Sequence, residues 1–154
     1  MNVVKKILVP VDFSEHSAKA LEFAVDLALK YGTSLTILHV NDLAINLAPY
    51  GPLPPSLIDN AAQEAQALLD QTKNQVMALG VRQVDSSLLD GMAFHEIVLF
   101  AEQGNYDLIV MGTHGRSGFN RFMLGSVAER VVRRARRPVL TVALRGDALA
   151  AAEA

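Results

Sequence analysis

The sequence predicts an α/β protein built on a parallel β-sheet. Three observations carry that prediction: short continuous apolar runs such as residues 7–11 and 108–111, amphipathic helical stretches between them, and a regular alternation of the two along the chain. A strand buried on both faces reads as a continuous hydrophobic run rather than an alternating one, which is the signature of a parallel sheet. Parallel neighbours joined in this way need helical crossovers, and these are right-handed. With 154 residues, 51% of them hydrophobic and 19% charged, the chain suits one domain with a proper core.

Ile7 to Val11 is the first strand, and Asp12 stands at its carboxyl end. Ser14 caps the next helix, whose inward face is Ala18, Leu21, Ala24, Val25 and Ala28, and Tyr31-Gly32 ends it. Leu35 to Val40 is the second strand. Between Asn41 and Asp59, Pro49, Gly51, Pro52, Pro54 and Pro55 leave no place for a long helix or strand in the middle. A connection of that length is either a lid over a site or a plain surface excursion.

Ala61, Ala65, Leu68, Leu69, Thr72, Val76 and Leu79 mark a second helix, stopped at Gly80. The third strand, 81–89, carries Arg82, Gln83, Asp85, Ser86 and Ser87, polar enough for a sheet edge. Asp90-Gly91 turns into a third helix with Phe94, Ile97, Val98 and Ala101 inward. The fourth strand is Leu108 to Met111, and a fourth helix follows from Val127. Pro138 opens the fifth strand, which ends near Ala143; proline is tolerated there. Residues 1–143 form one domain, and 144–154 is a tail that lacks a core face and frays.

Composition excludes several functions. There is no cysteine, hence no disulfide, thiolate chemistry or cysteine-bound metal. A net charge of −2 does not favour nonspecific nucleic-acid binding, so no nucleic-acid partner is expected. The apolar run after Lys5-Lys6 is too short for a signal peptide and no stretch spans a bilayer, so the expectation is a cytoplasmic protein without a membrane partner. His16, His39 and His95 have no partner at metal-ligand spacing, and His114 reads as a hydrogen-bonding loop residue. The run Arg130, Arg133, Arg134, Arg136, Arg137 sits at a helix C-terminus, where it complements the dipole.

The chemistry concentrates between Gly112 and Ser126, a strand-to-helix connection with four glycines. Glycine lets a backbone take positive φ and lets another group come close. Free N–H groups leading into a helix start make a natural anion site. Ser126-Val-Ala-Glu129 also has capping-box form, and so does Asp12-Phe-Ser-Glu15. The P-loop pattern is missing because no lysine follows Gly125, and the dinucleotide fingerprint Gly-x-Gly-x-x-Gly is absent.

What is present is Gly112-x-x-Gly115, nine residues, then Gly125-Ser126. That spacing resembles the nucleotide signature of the universal stress protein family, in its ATP-binding branch. Ile7-Leu8-Val9-Pro10-Val11-Asp12 and Pro138-Val139-Leu140-Thr141-Val142 are similar to that family's first and last strands. The resemblance implies a doubly wound five-stranded parallel sheet in the order 3-2-1-4-5, with helices on both faces. Asp12 and Gly112 then follow the two strands between which the chain reverses, where ligands of such sheets sit.

The resemblance further implies that Pro10, Val11, Asp12, Val40 and Met111 surround the base and sugar of ATP, with ADP or AMP as alternative occupants. Val11, Val40 and Met111 read equally well as core. Asp12 suits ribose hydroxyls or a Mg²⁺ held through water. Gly112, Gly115, Gly125, Ser126 and Val127 match the phosphate loop, with Arg116 and Arg121 as charge partners or as solvated loop charges. The implied protein is a nucleotide-dependent regulator of the stress response, a homodimer through the edge of the fifth strand. No nucleophile and base can be paired from the sequence, so enzymatic activity stays open: a slow ATPase or autokinase is one alternative, a nucleotide-free interaction protein the other.

Overall fold

The computed structural model describes residues 4–115 and 124–144. Arg116, Arg121 and the tail from 145 lie outside the described residues. The chain runs β1 (Lys6–Pro10), α1 (Glu15–Tyr31), β2 (Ser34–Asn41), α2 (Leu43–Leu47), a 3-10 turn (Ala48–Tyr50), α3 (Pro55–Ala78), β3 (Val84–Asp90), α4 (Ala93–Gln103), β4 (Leu108–Gly112), α5 (Ser126–Arg134) and β5 (Val139–Val142). Among the described residues all four strand pairings are parallel, and the order is β3-β2-β1-β4-β5.

Consecutive residues of the central strands serve opposite faces. Ile7, Val9, Leu35, Ile37 and Val110 pack with Ala20, Ala24, Ala28, Leu69 and Val76 beneath α1 and α3. Leu8, Leu38, Ile109 and Met111 pack with Phe94, Ile97, Ala128 and Val131 beneath α4 and α5. Each fully buried Leu, Ile or Val contributes about 1.5–3 kcal/mol, which is why the continuous apolar runs become the middle of the sheet. The polar strand β3 lies at one edge, as its composition predicts.

Several expectations need correction. α3 begins at Pro55, not near Ala61, because a proline in the first helical turn has no N–H to lose and a φ already suited to the helix. The 41–59 segment folds into α2 and the 3-10 turn, leaving only residues 51–54 between helical pieces. Among the described residues there are therefore five α-helices instead of four. Ala18 is exposed while Ser17 and Ala20 are buried, so the inward stripe of α1 starts one residue earlier. Leu79, just past α3, is 63% exposed. β3 starts at Val84, three residues later than expected, and β5 ends at Val142. No helix of the described residues is long and apolar enough to cross a membrane.

Candidate functional site

The carboxyl ends of β1 and β4 meet at the reversal in strand order. Directly after β1, Asp12 Oδ1 accepts from the Ser14 backbone N–H at 3.0 Å and from the Ser14 hydroxyl at 2.5 Å. Ser14 is the N-cap of α1, its oxygen accepting from Ser17 N–H at 3.3 Å. Ser14 is thus the cap and Asp12 the residue that orients it, so the capping-box reading of Asp12 fails. The charge of Asp12 also lies at the positive end of the α1 dipole.

After β4, the glycines have identifiable neighbours. A Cβ on Gly112 would stand 2.8 Å from the backbone carbon of His16, so its absence lets α1 approach the strand end. A Cβ on Gly115 would lie 2.7 Å from Asp12 Oδ2. Gly125 donates its N–H to the Thr113 carbonyl at 2.7 Å, folding the far side of the bend back onto β4. Gly125, not Ser126, is the N-cap of α5, with no side-chain capping bond, and the Ser126-Glu129 capping box does not form. Ser126 and Val127 stand in the first turn, where N–H groups have no intrahelical acceptor. The sequence could not reveal this shift: a serine beside a helix start looks the same at N-cap and N1.

Between these ends lies an open cleft of about 890 Å³. Pro10, Val11 and Asp12, with Val40 from β2 and Met111 from β4, line one part of it; Gly112, Gly115, Gly125, Ser126 and Val127 line another. Every described residue of the expected site therefore faces one space; Arg116 lies outside the described residues. Val11, Val40 and Met111 are also nearly buried, so wall and core are the same side chains.

Sequence reasoning missed two contributors. Arg130 lines the cleft, its guanidinium 5.1 Å from the Phe94 ring, although the sequence grouped it with the basic helix end. Its position one turn after Ser126 is the signal that could have separated it from Arg133 and Arg134. The α2 segment contributes Asn41, Asp42, Leu43 and Asn46, which the proline-rich reading left undefined. His114 Nδ1 lies 3.0 Å from the Thr113 hydroxyl, and its ring is 5.2 Å from that of His16. Among the described residues no three His, Cys, Asp or Glu side chains form a group that could hold a metal ion.

Comparison with known proteins agrees with this architecture. The sequence model of the universal stress protein family matches residues 4–143. Universal stress protein MJ0531 of Methanocaldococcus jannaschii is 36% identical over 146 residues, covering 92% of this chain and 83% of that protein. The solved structure of MJ0577, from the same organism, is 29% identical with a TM-score of 0.81, covering 94% of this chain and 99% of that one. A universal stress protein of Archaeoglobus fulgidus, solved in complex with dAMP, is 25% identical with a TM-score of 0.66, covering 91% of this chain and 98% of its own. The match spans all five strands and both ends of the cleft, and the chain belongs to the universal stress protein family.

Proposed function

We propose that the cleft binds an adenine nucleotide, ATP with ADP or AMP as competing occupants, and that the bound nucleotide sets the conformation or partner choice of a stress-response regulator. The observation that carries this reading is the uncapped start of α5, facing the same cleft as Asp12 at the sheet's reversal. First-turn N–H groups and the helix dipole favour an anionic group there. Asp12 Oδ1 is engaged by Ser14, while Oδ2 points toward Gly115, between the two ends of the site.

In this reading Pro10, Val11, Val40 and Met111 hold the base and sugar, and Asp12 accepts from ribose hydroxyls. Gly112, Gly115, Gly125, Ser126 and Val127 surround the phosphates, with Arg116 as an added cation. The cleft volume lies within the range of about 300–1,000 Å³ of small-molecule sites. A Mg²⁺ would be held mainly by the phosphates, with Asp12 reaching it through water, and would neutralise phosphate charge. The dAMP complex of the A. fulgidus relative supports the class of ligand.

The reading also takes residues 1–143 as one domain followed by a tail, and two copies joined along β5. Support for the dimer comes from β5 itself, an edge strand bonded only to β4 among the described residues. Mass spectrometry of small molecules released from denatured, purified protein tests the ligand. AMP, ADP or ATP at near-stoichiometric yield is expected. A protein that releases none, and takes up none in calorimetry with Mg-ATP or AMP, rejects the reading.

A further inference from the structure

Helix α4 carries more apolar surface than the core beneath it takes up. Phe94, Ile97 and Ala101 fall at helical spacing and are buried in the core under α4 and α5. Val98 and Leu99 stand on the adjoining stripe, with His95 and Glu102 completing the i, i+3, i+4, i+7 spacing of one helix face. Leu99 is 38% exposed. This second stripe, together with Phe94 and Arg134 of α5, lines a groove of about 240 Å³.

The cations near the groove are unequally engaged. Arg133 Nη2 lies 3.0 Å from Glu129 Oε1, and Arg136 Nε lies 3.8 Å from Glu102 Oε1. Arg137 donates to Asn105 Oδ1 at 3.3 Å, and His95 Nδ1 is 3.0 Å from Glu96 Oε1. Arg134 has no carboxylate partner among the described residues; its guanidinium lies 4.9 Å from the centre of the Phe94 ring. Arg130 shares that ring but lines the cleft, not the groove. A guanidinium held over an aromatic ring keeps N–H groups for a planar anion, and a carboxylate can take two of them at once.

Size and charge narrow what can sit here. Small-molecule sites run to about 300–1,000 Å³, so this groove suits side chains better than a whole metabolite. Two neighbouring arginines are already matched by carboxylates, and Glu102 lines the groove itself. The face is therefore no continuous cationic track for a phosphate backbone. Apolar walls beside one uncommitted guanidinium match a protein segment that carries a large apolar side chain with an Asp or Glu within one helical turn of it.

We propose that the α4–α5 groove docks such an acidic, apolar segment of a partner protein, with the apolar side chain against Phe94, Val98 and Leu99 and the carboxylate on Arg134. The inference does not depend on what occupies the cleft.

The test selects binders to the folded full chain from a displayed library of random peptides of about twelve residues. Selected peptides should pair Leu, Phe or Met with Asp or Glu within a turn. Their affinity should fall about tenfold in Arg134→Gln, which keeps a long side chain but no charge, and about tenfold in Leu99→Ala. A peptide whose acidic residue is changed to lysine should lose binding to wild type and recover part of it on Arg134→Glu.

Peptides without an acidic residue, affinities unchanged in both Arg134→Gln and Leu99→Ala, or no binder tighter than about 1 mM overturns the proposal. If Arg134→Glu does not fold, Arg134→Gln and Leu99→Ala decide. Other occupants give other results, and each would overturn the partner assignment. Binding that emerges only after deletion of residues 145–154, which include Asp147 and Leu149, gives the groove to the chain's own end. Self-association lost in Arg134→Gln gives it to a second copy. Retention on phosphatidylserine vesicles or single-stranded RNA, lost in the same variant, gives it to a phosphate-bearing surface.

Discussion

Oδ2 of Asp12 stands 2.7 Å from the point a Cβ on Gly115 would occupy, so the end of β1 and the bend after β4 touch across the sheet's reversal. Glycine at 115 is what allows the carboxylate and the bend to share that space. Gly115→Ala should displace one or the other and weaken AMP binding about tenfold, since losing a charge-assisted hydrogen bond costs about 1.5–3 kcal/mol. The fold should be little affected, because Asp12 is only partly buried. Calorimetry beside a thermal melt checks both halves, and unchanged affinity would remove Gly115 from the site.

Gly112 should behave in the opposite way. Its missing Cβ faces the backbone of His16, at 2.8 Å from the carbonyl carbon and 2.9 Å from the oxygen, and a helix backbone cannot swing aside. Gly112→Ala should cost about 1–3 kcal/mol by forcing α1 off the sheet. A fall in Tm of several degrees, at about 2–4 °C per kcal/mol, is the expected reading. Gly125 is intermediate: a Cβ there meets the Thr113 carbonyl oxygen at 3.0 Å and His114 Cα at 3.2 Å, so Gly125→Val should lower both stability and binding.

Ser14 and Asp12 can be separated. Ser14→Ala removes the N-cap oxygen that accepts from Ser17 N–H and should cost about 1 kcal/mol of stability. Asp12→Asn keeps a carbonyl acceptor for Ser14 but removes the charge, so its stability loss should be smaller and its loss of nucleotide affinity larger. Denaturant melts paired with calorimetry distinguish the two patterns; the same ratio in both variants would mean that Asp12 serves only the cap.

A dimer along β5 is best tested at Thr141. Ile109 N–H donates to the Pro138 carbonyl and Thr113 N–H to that of Val142, so residues 138, 140 and 142 face β4. Leu140, the middle of the strand and the obvious place for a proline from sequence alone, would lose a bond within the chain. Thr141 points its N–H to the outer edge, so Thr141→Pro should give folded monomers by light scattering. A dimer of undiminished size would exclude pairing through this edge.

Tyr106 sets an alkaline limit. Its hydroxyl donates to the Thr36 hydroxyl at 2.9 Å in the core, and burial raises its pKa above the ordinary 10.0; the Thr36 bond lowers it and nearby Asp85 raises it further. A raised folded pKa means that stability is full below the unfolded value and is lost as pH rises through the folded one. Melts between about pH 8 and about pH 11 should show that loss only above about pH 10. Tyr106→Phe should start about 1 kcal/mol lower, leaving Thr36 without this donor, and lack the alkaline decline.

Much of the architecture was legible in the chain. Continuous apolar runs at 7–11 and 108–111 announced buried parallel strands, polar Arg82 to Ser87 announced an edge, and the spacing Gly112, Gly115, Gly125 marked the bend. These readings worked because burial on two faces and glycine's missing Cβ act locally, within a few residues of sequence. Pro55 misled because a proline breaks a helix in its interior yet starts one well, and sequence does not say which position it holds. The partners of each motif residue were decided only in three dimensions. Gly112 meets His16, Gly115 meets Asp12, Arg130 enters the cleft, and His39 takes the carbonyl of Val11. Those contacts join segments up to about a hundred residues apart, and only the sheet order β3-β2-β1-β4-β5 brings them together.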